Sequence, residues 1–379
     1  MSALDRIAVV GAAESDHGHA PHLSPLGMAA QASARAAEDA GLSLGEIDGV
    51  FTITPYHHLT SLSLCEYLGI VPRYHDTTQI GGCTFVAFLR HAAAAIAAGM
   101  CETALVAYGS SPRSDGGRLV SASERYNIEL PYGAMFPVSS FAMIAQRHMH
   151  LYGTTPEQLA QVAVAHRAWA GLTANAWFRD PIDVDDVLAS PMVSSPLHRL
   201  DCCVVTDGGA ALIVTTRERA ERLRKRPLHV LGAAESHTHR NITGMADLTV
   251  SAAAVTGPAA FAEAGLAPSA MDFVQLYDAF TITPIVMLED LGFCAKGDGG
   301  TFYDAGRTAP GGALPVNTNG GGLAYCHPGM LSLFLLVEGC RQLWHECGER
   351  QVTDAEVGLV HGLGGQFASA ATAVLARSR

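Results

Sequence analysis

The stretch Gln79-Ile80-Gly81-Gly82-Cys83-Thr84, followed by the apolar run at residues 85–99, decides the fold of this chain. Two adjacent glycines allow a tight turn, and an Ala-rich run without Pro or Gly until Gly99 predicts a buried helix. Cys83 therefore lies at or just before a helix N-terminus, where free N–H groups and the helix dipole favour a thiolate, as a cysteine nucleophile requires. The alternative is that Cys83 is a small apolar residue in a tight turn, since cysteine is among the most buried residue types.

Strand and helix patterns alternate on both sides of this stretch. Apolar strand patterns occur at residues 7–11, 48–53, 103–108 and 210–215, with helical patterns at 26–40 and 62–68. Such alternation predicts an α/β fold with a mostly parallel sheet. From about residue 112 to residue 200 the pattern changes to a loop-rich and then helical region, which we interpret as an insertion.

The chain then repeats itself. Residues 7–15, IAVVGAAES, return as residues 228–236, LHVLGAAES, and the last five residues are identical. Helical patterns at 259–265 and 281–291 alternate with strand patterns at 272–276, 357–361 and 368–376. A duplicated α/β unit accounts for both observations. We therefore predict an N-terminal half at residues 1–226, with an insertion at about 112–200, and a C-terminal half at 227–379.

Composition excludes several classes of protein. The chain has 379 residues, is 49% hydrophobic and has a formal charge of −12, with only one short basic tract, at residues 222–226, so a nucleic-acid partner is not expected. No apolar run reaches the roughly 18 residues that a membrane span needs, and residues 1–11 lack the features of a signal peptide. The nine cysteines are scattered without a CxxC pair, so we expect no metal site, no disulfide framework and a cytoplasmic location.

Three stretches of the second half carry polar side chains beside flexible backbone. They are residues 276–281 with Tyr277, residues 317–330 with His327, and residues 360–365 with His361. Glycines around them permit a close approach between backbone and ligand. Each histidine has a structural alternative, as a buried residue with satisfied hydrogen bonds, and Tyr277 has one as a core tyrosine whose hydroxyl finds a partner.

In these motifs the chain resembles the thiolase superfamily over nearly its whole length, above all the sterol-carrier-protein-type thiolases and the related lipid-transfer-protein branch. Gly81-Gly82-Cys83-Thr84 matches the family's Asn-Asn-Cys-Ser in position, and Tyr277-Asp278-Ala279-Phe280 matches Asn-Glu-Ala-Phe. Cys326-His327-Pro328-Gly329 resembles Gly-His-Pro-x-Gly without its spacer, residues 361–365 resemble Cys-x-Gly-Gly-Gly loosely, and residues 201–211 resemble the Asp-Gly-Ala-Ala segment that closes the first half.

The resemblance implies a thiolase fold, with duplicated βαβαβαββ halves forming a five-layered αβαβα core and an inserted loop domain. It also implies an acyl-CoA C-acyltransferase in which Cys83 attacks a 3-oxoacyl-CoA and becomes acylated. His327 and Tyr277 would then stabilise the developing charge on the thioester oxygen, and His361 would move protons. Coenzyme A would be substrate or product with no bound cofactor, and Ser251 is a candidate contact for it.

Two departures from the family pattern keep other functions open. Tyr277 replaces the asparagine of Asn-Glu-Ala-Phe, and His361 stands where the family has its second cysteine. The resemblance therefore also allows a retro-aldolase that cleaves a 3-hydroxyacyl-CoA of the steroid side-chain type, relies on tyrosines and works with a small zinc-ribbon/OB-like (DUF35-type) partner. A non-catalytic acyl-CoA or lipid carrier is the third possibility. Family members pair edge strands into homodimers, and we expect the strand at 103–108 to be that edge.

Overall fold

The computed structural model describes residues 2–117 and 129–378; the part of the predicted insertion at 118–128 lies outside the described residues. The strands are β1 (Ile7–Glu14), β2 (Gly49–Thr52), β3 (Tyr74–Asp76), β4 (Thr103–Ser110), β5 (Met192–Ser194), β6 (Leu197–His198), β7 (Gly208–Thr216), β8 (His229–His237), β9 (Phe273–Leu276), β10 (Val357–Gly364) and β11 (Ser369–Ala376). The helices are α1 (Pro25–Ala40), α2 (Thr60–Leu68), α3 (Thr84–Ala97), α4 (Val138–Tyr152), α5 (Pro156–Gly171), α6 (Val184–Ala189), α7 (Arg217–Ala220), α8 (Ala253–Ala264), α9 (Ile282–Asp290), α10 (Gly299–Tyr303), α11 (Gly321–Ala324) and α12 (Ser332–Trp344).

Local sequence signals explain where α1 begins and ends. The Ser24 hydroxyl accepts a hydrogen bond from the Gly27 N–H, and Pro25 occupies the first helical position, where its missing N–H costs nothing. Gly41 ends the helix in the left-handed conformation, with φ of 74°. The α3 helix, by contrast, starts directly after Cys83 and has no side-chain cap. Its first turn therefore leaves backbone N–H groups beside the cysteine.

Two sheets form the frame of the molecule. The first has the strand order β1-β7-β4-β2-β3 and the second has the order β8-β11-β10-β9. β7 is antiparallel to both of its neighbours and β11 to both of its own, whereas β2–β3, β2–β4 and β9–β10 are parallel. The strands of each sheet therefore run mostly in one direction, as predicted, and only the last strand of each half, β7 or β11, is reversed.

The helices divide into layers around these sheets. α1 packs on the outer face of the first sheet against β1, β4 and β7, and α8 packs on the second sheet against β8 and β11. α3 and α12 contact strands of both sheets and so lie between them. The order helix, sheet, helix, sheet, helix is the predicted five-layered arrangement, and the largest group of buried apolar side chains surrounds the central α3 and α12.

The internal repeat has the same packing role in each half. A β-carbon built on Gly11 of β1 would lie 2.3 Å from the Ala36 carbonyl oxygen of α1. The equivalent β-carbon on Gly232 of β8 would lie 2.1 Å from the Ala260 carbonyl oxygen of α8. Both distances are far below van der Waals contact, so each glycine lets an outer helix lie directly on its strand. The repeated sequence thus encodes a repeated strand–helix contact.

Strand positions correct the expected dimer edge. β4, which contains residues 103–108, pairs with β2 on one side and with β7 on the other. It is therefore an interior strand with no free edge, and that assignment is wrong. The outermost strand beside β2 is the short β3. The homodimer itself remains a prediction.

The region predicted to be an insertion packs on elements of the second half of the chain. α5 contacts α10 and α11, and α4 contacts α9. The short hairpin of β5 and β6 adds a third, separate two-stranded sheet beside α4. Within the described residues, the structure has no helix of the length and apolar character that a membrane crossing requires.

Candidate active site

Cys83 lies at the entry to α3, at the centre of the molecule, and its side chain is fully buried. Its sulfur lies 3.4 Å from the Ile80 carbonyl oxygen and 3.4 Å from the Ser369 hydroxyl oxygen. The Ser369 hydroxyl also donates to the Ile80 carbonyl. The thiol therefore belongs to a small hydrogen-bond network that joins the Gly-rich turn at residues 79–84 to the start of β11.

The glycines around Cys83 bring protein segments into close contact. A β-carbon on Gly362 would lie 2.7 Å from Cys83 Cα, and one on Gly364 would lie 2.0 Å from the Ile80 carbonyl oxygen. A β-carbon on Gly82 would lie 2.5 Å from the Tyr277 ring. The turn before α3 is thus in backbone contact with β10 and in ring contact with Tyr277. The glycine pattern that predicted close ligand approach serves close packing of the chain on itself.

Burial reverses the expected chemistry of the thiol. Loss of hydration raises the pKa of Cys83 to about 12, while the hydrogen bond with Ser369 opposes that rise. The start of α3 favours a thiolate, but desolvation is the larger effect in this fully buried position. The expectation of a lowered pKa is therefore wrong for this structure, in which Cys83 is a protonated thiol.

Tyr277 follows the last residue of β9 and packs beside the Gly-rich turn. Its backbone N–H donates to the His361 carbonyl at 3.1 Å, and its hydroxyl donates to the Gly329 carbonyl at 3.1 Å. A second tyrosine, Tyr108 of β4, donates to the adjacent Pro328 carbonyl at 2.6 Å. Burial raises the pKa of the Tyr277 hydroxyl well above its ordinary value. Tyr277 is thus a protonated hydroxyl held against the Pro328–Gly329 turn.

His327 lies edge-on to Tyr277 with an unused ring nitrogen. The two ring centroids are 5.5 Å apart and the ring planes are inclined by 84°. The His327 backbone N–H donates to the Thr206 hydroxyl, but within the described residues His327 Nε2 is buried without a hydrogen-bond partner. Burial lowers the pKa of His327 to about 4, against the opposing charge of Asp278. An unpaired buried polar atom costs stability, so this nitrogen is a candidate contact for a ligand group.

The structure does not bring His361 to this group. Neighbouring residues of a strand point to opposite faces, and Gly362 of β10 is the residue in contact with Cys83. His361 faces the other way, where its Nδ1 lies 2.7 Å from the Thr372 hydroxyl, which in turn contacts Thr256 of α8 at 2.8 Å. Burial lowers the pKa of His361 to about 3. His361 is therefore a buried structural histidine with a satisfied hydrogen bond. The motif match is one residue out of step, because Gly362 and not His361 lies on the side of β10 that faces Cys83.

Ser251, the candidate contact for coenzyme A, also lies elsewhere. Its hydroxyl and its backbone N–H both donate to Asp290 Oδ2 at 2.7 Å, and the residue is buried before α8. A carboxylate already occupies its donors and would repel a phosphate group. The structure therefore gives Ser251 the role of tying α8 to α9.

Three polar residues that the sequence did not single out hold the end of β9. The Asn317 side chain brackets Leu276, accepting from its N–H at 2.6 Å and donating to its carbonyl at 2.8 Å. Asp278 accepts from His166 Nδ1 at 2.8 Å and from the Gly322 N–H at 2.7 Å. Asp278 and Asn317 lie within the polar stretches at residues 276–281 and 317–330, which mark their neighbourhood in the sequence. His166 comes from α5, in the insertion, and no local pattern marks it.

Comparison with known proteins agrees with this architecture. The family model "Thiolase C-terminal domain-like" matches residues 234–377. An acetyl-CoA acetyltransferase of Methanothermobacter thermautotrophicus is 33% identical, and the alignment covers 98% of this chain and 99% of that protein. A 17-hydroxy-3-oxo-4-pregnene-20-carboxyl-CoA lyase of Mycobacterium tuberculosis is 34% identical, with 89% of this chain and 91% of that protein covered. A solved structure, the "Ltp2-ChsH2(DUF35) aldolase", superposes with a TM-score of 0.90 at 30% identity, covering 99% of both chains.

These similarities extend over both sheets and the insertion, and they include the segments that carry Cys83, Tyr277 and His327. The chain belongs to the thiolase superfamily. Its fold is the thiolase fold, and its function is of the thiolase-like acyl-CoA type.

Proposed function

We propose that this chain cleaves a carbon–carbon bond of a 3-hydroxyacyl-CoA by a retro-aldol reaction, without a covalent acyl-enzyme. One observation carries the proposal: the Cys83 thiol is fully buried and hydrogen-bonded, whereas His327 Nε2, beside the Tyr277 ring, has no partner in the described structure. Acylation needs an accessible thiolate. A retro-aldol cleavage needs only groups that move a proton and stabilise an enolate.

One residue, Tyr277, both accepts and supplies the proton that the reaction transfers. The hydrogen of the substrate's 3-hydroxyl leaves as C3 becomes a carbonyl, the C2–C3 bond breaks, and its electron pair forms the new C2–H bond while enolate-like charge develops on the thioester oxygen. Tyr277 accepts the hydroxyl proton and supplies one to C2, so it ends in the protonation state in which it began. Since burial keeps the Tyr277 hydroxyl protonated, we assign the two transfers to one concerted step that forms no free tyrosinate.

His327 stabilises the charge that develops on the thioester oxygen. Burial holds its pKa at about 4, so the imidazole is neutral near neutral pH. A neutral imidazole donates from one ring nitrogen, and Nε2 is the atom without a partner. A donor set in advance in a buried site contributes about 3 kcal/mol to lowering such a barrier.

The relatives support this reaction and suggest a partner. The lyase relative and the aldolase structure resemble this chain over nearly its whole length. The name of that solved structure joins the aldolase to ChsH2(DUF35). We therefore propose a CoA thioester of the steroid side-chain type as substrate, and a small zinc-ribbon/OB-like protein as the working partner. Any zinc would belong to that partner.

The acyltransferase reaction is the second candidate. It is favoured by the position of Cys83 at the uncapped start of α3 and by the archaeal acetyl-CoA acetyltransferase relative. In that reaction Cys83 carries the acyl group, and the contacts of Gly362 and Tyr277 with the turn must open to admit the thioester.

Product analysis separates the two reactions. The purified chain, alone and with a DUF35-type partner, is given a 3-hydroxyacyl-CoA or a 3-oxoacyl-CoA with free coenzyme A. We expect a carbonyl product and a shortened acyl-CoA from the hydroxy substrate, and no acyl adduct on Cys83 by intact-mass analysis of quenched samples. Turnover of the oxo substrate alone, with a labelled Cys83 peptide, would reject the proposal in favour of the second candidate.

A further inference from the structure

A buried acid–base pair lies directly behind Tyr277 and takes no part in the proposed proton transfer. The Asp278 carboxylate accepts a hydrogen bond from His166 Nδ1 at 2.8 Å, and neither side chain is exposed. His166 belongs to α5 of the inserted region, whereas Asp278 follows β9. The pair therefore connects two segments that are far apart in the chain.

The same carboxylate organises the turn that leads to His327. Asp278 Oδ1 accepts from the Gly322 N–H at 2.7 Å, and Oδ2 accepts from the Leu323 N–H at 3.1 Å. A β-carbon on Gly321 would lie 2.3 Å from Asp278 Oδ2, so this backbone rests directly on the carboxylate. A buried carboxylate with three donors is tightly constrained in position and rotation.

The turn in contact with Asp278 is also the surface on which the His327 ring rests. A β-carbon on Gly322 would lie 3.1 Å from His327 Cδ2 and 3.1 Å from the Asp278 carbonyl oxygen. A displacement of Asp278 therefore moves the Gly322 backbone, and with it the imidazole. On its other side, Asp278 is bonded to Tyr277, so one residue links the positions of both rings.

We infer that His166 is a positioning residue of this site, which holds Asp278 and through it the relative placement of Tyr277 and His327. The kinetic part of this inference rests on the proposed lyase function. Reacting groups that are displaced by about 1 Å lose on the order of a hundredfold in rate. The inserted region thereby sets the geometry of a site whose reacting groups all lie outside it.

The test compares the same substitution in two buried histidine–carboxylate pairs. His148 of α4 also forms a fully buried pair with a carboxylate, that of Glu289, at 3.1 Å, but this pair has no described contact with Tyr277 or His327. His166→Leu should lower kcat on the hydroxy substrate by about 30- to 100-fold with KM changed less than about threefold, whereas His148→Leu should leave kcat within about threefold. His166→Asn, whose amide nitrogen can take the place of Nδ1, should recover most of the rate. Should His166→Leu fail to fold, Asp278→Asn takes its place.

A second readout does not depend on activity. In protein labelled with 13C-histidine, the His327 resonance, assigned by His327→Gln, should shift in His166→Leu and remain in place in His148→Leu and His166→Asn. Equal kinetic losses in both leucine variants, or an unmoved His327 resonance in His166→Leu, would refute the positioning role. If the wild-type chain has no lyase activity, the proposed function fails, and the resonance alone decides this inference.

Discussion

The two halves of the molecule both bury their candidate catalytic groups but differ in how these groups are hydrogen-bonded. In the N-terminal half, Cys83 is in contact with Gly362 and Ser369 and is a neutral thiol. In the C-terminal half, His327 keeps a ring nitrogen without a partner beside Tyr277 within the described residues. Both places are rich in glycine. A glycine motif therefore indicates that some group approaches the backbone closely. Only the fold decides which group that is.

The largest expected effect comes from removing one hydroxyl. Tyr277→Phe should lower lyase turnover by about a hundredfold to ten-thousandfold, because the proton carrier is lost. Cys83→Ala should change it by less than about fivefold, because no acyl-enzyme forms. Steady-state assays on a 3-hydroxyacyl-CoA check both values.

Tyr108→Phe is the matched control for that comparison. Tyr108 is another buried tyrosine, and it donates to the carbonyl next to the one that Tyr277 contacts. If Tyr277 only anchors the Pro328–Gly329 turn, the two Phe variants should lose similar activity. If Tyr277→Phe kept full activity and Cys83→Ala lost it, Cys83 and not Tyr277 would be the catalytic group.

His327 and His361 should differ in their effect on catalysis but should make the free energy of unfolding depend on pH in the same way. Their folded pKa values, about 4 for His327 and about 3 for His361, lie below the ordinary 6.5, so the unfolded chain binds the extra protons. Each therefore stabilises the fold above pH 6.5, and this contribution is lost as the pH falls from 6.5 towards the folded pKa. Between about pH 7 and pH 5 the loss is roughly 2 kcal/mol for each histidine.

Urea unfolding at the two pH values tests this with asparagine variants. His361→Asn and His327→Asn should each reduce the acid-induced loss of stability by roughly 2 kcal/mol. Only His327→Asn should lower turnover, by about a hundredfold to a thousandfold. Comparable catalytic losses in both variants would mean that His361 reaches the substrate, contrary to its contact with Thr372.

Adding one methyl group should break the enclosure of the thiol. The new β-carbon of Gly362→Ala would lie only 2.7 Å from Cys83 Cα, so the backbone must move. We expect the unfolding free energy to fall by about 1–3 kcal/mol. Gly45→Ala is the control, since its new carbon meets nothing closer than 4.0 Å. Denaturant titrations compare the two; equal stabilities would show that the turn can open easily.

The smallest effect concerns thiol reactivity. Cys294 is partly exposed and Cys83 is not, so iodoacetamide should label Cys294 at least about tenfold faster in the native protein. Peptide mapping over a time course measures both rates, and labelling in denaturant supplies the reference. Faster labelling of Cys83, with protection by an acyl-CoA, would restore it as the nucleophile.

Much of this architecture was predictable from the sequence, because the signals are local. The apolar periodicities of α1, α3 and β4 mark these elements, and the repeated Gly-Ala-Ala-Glu-Ser marks two equivalent strand–helix contacts. The motifs around Tyr277 and His327 likewise marked the two residues whose rings meet in the site. Such patterns depend on neighbours within a few positions, which the sequence displays directly.

The order of elements, the duplication and the family motifs thus follow from the order of residues alone. Long-range packing was needed to establish that β7 and β11 run antiparallel to their neighbours, that β4 is interior, that His361 faces α8 and that His166 supports Asp278. Packing also sets the charge of Cys83, because the start of a helix favours a thiolate while burial opposes it more strongly. One cause is common to all of these. Strand direction, strand face and desolvation depend on groups brought together from distant parts of the chain, and no local pattern contains them.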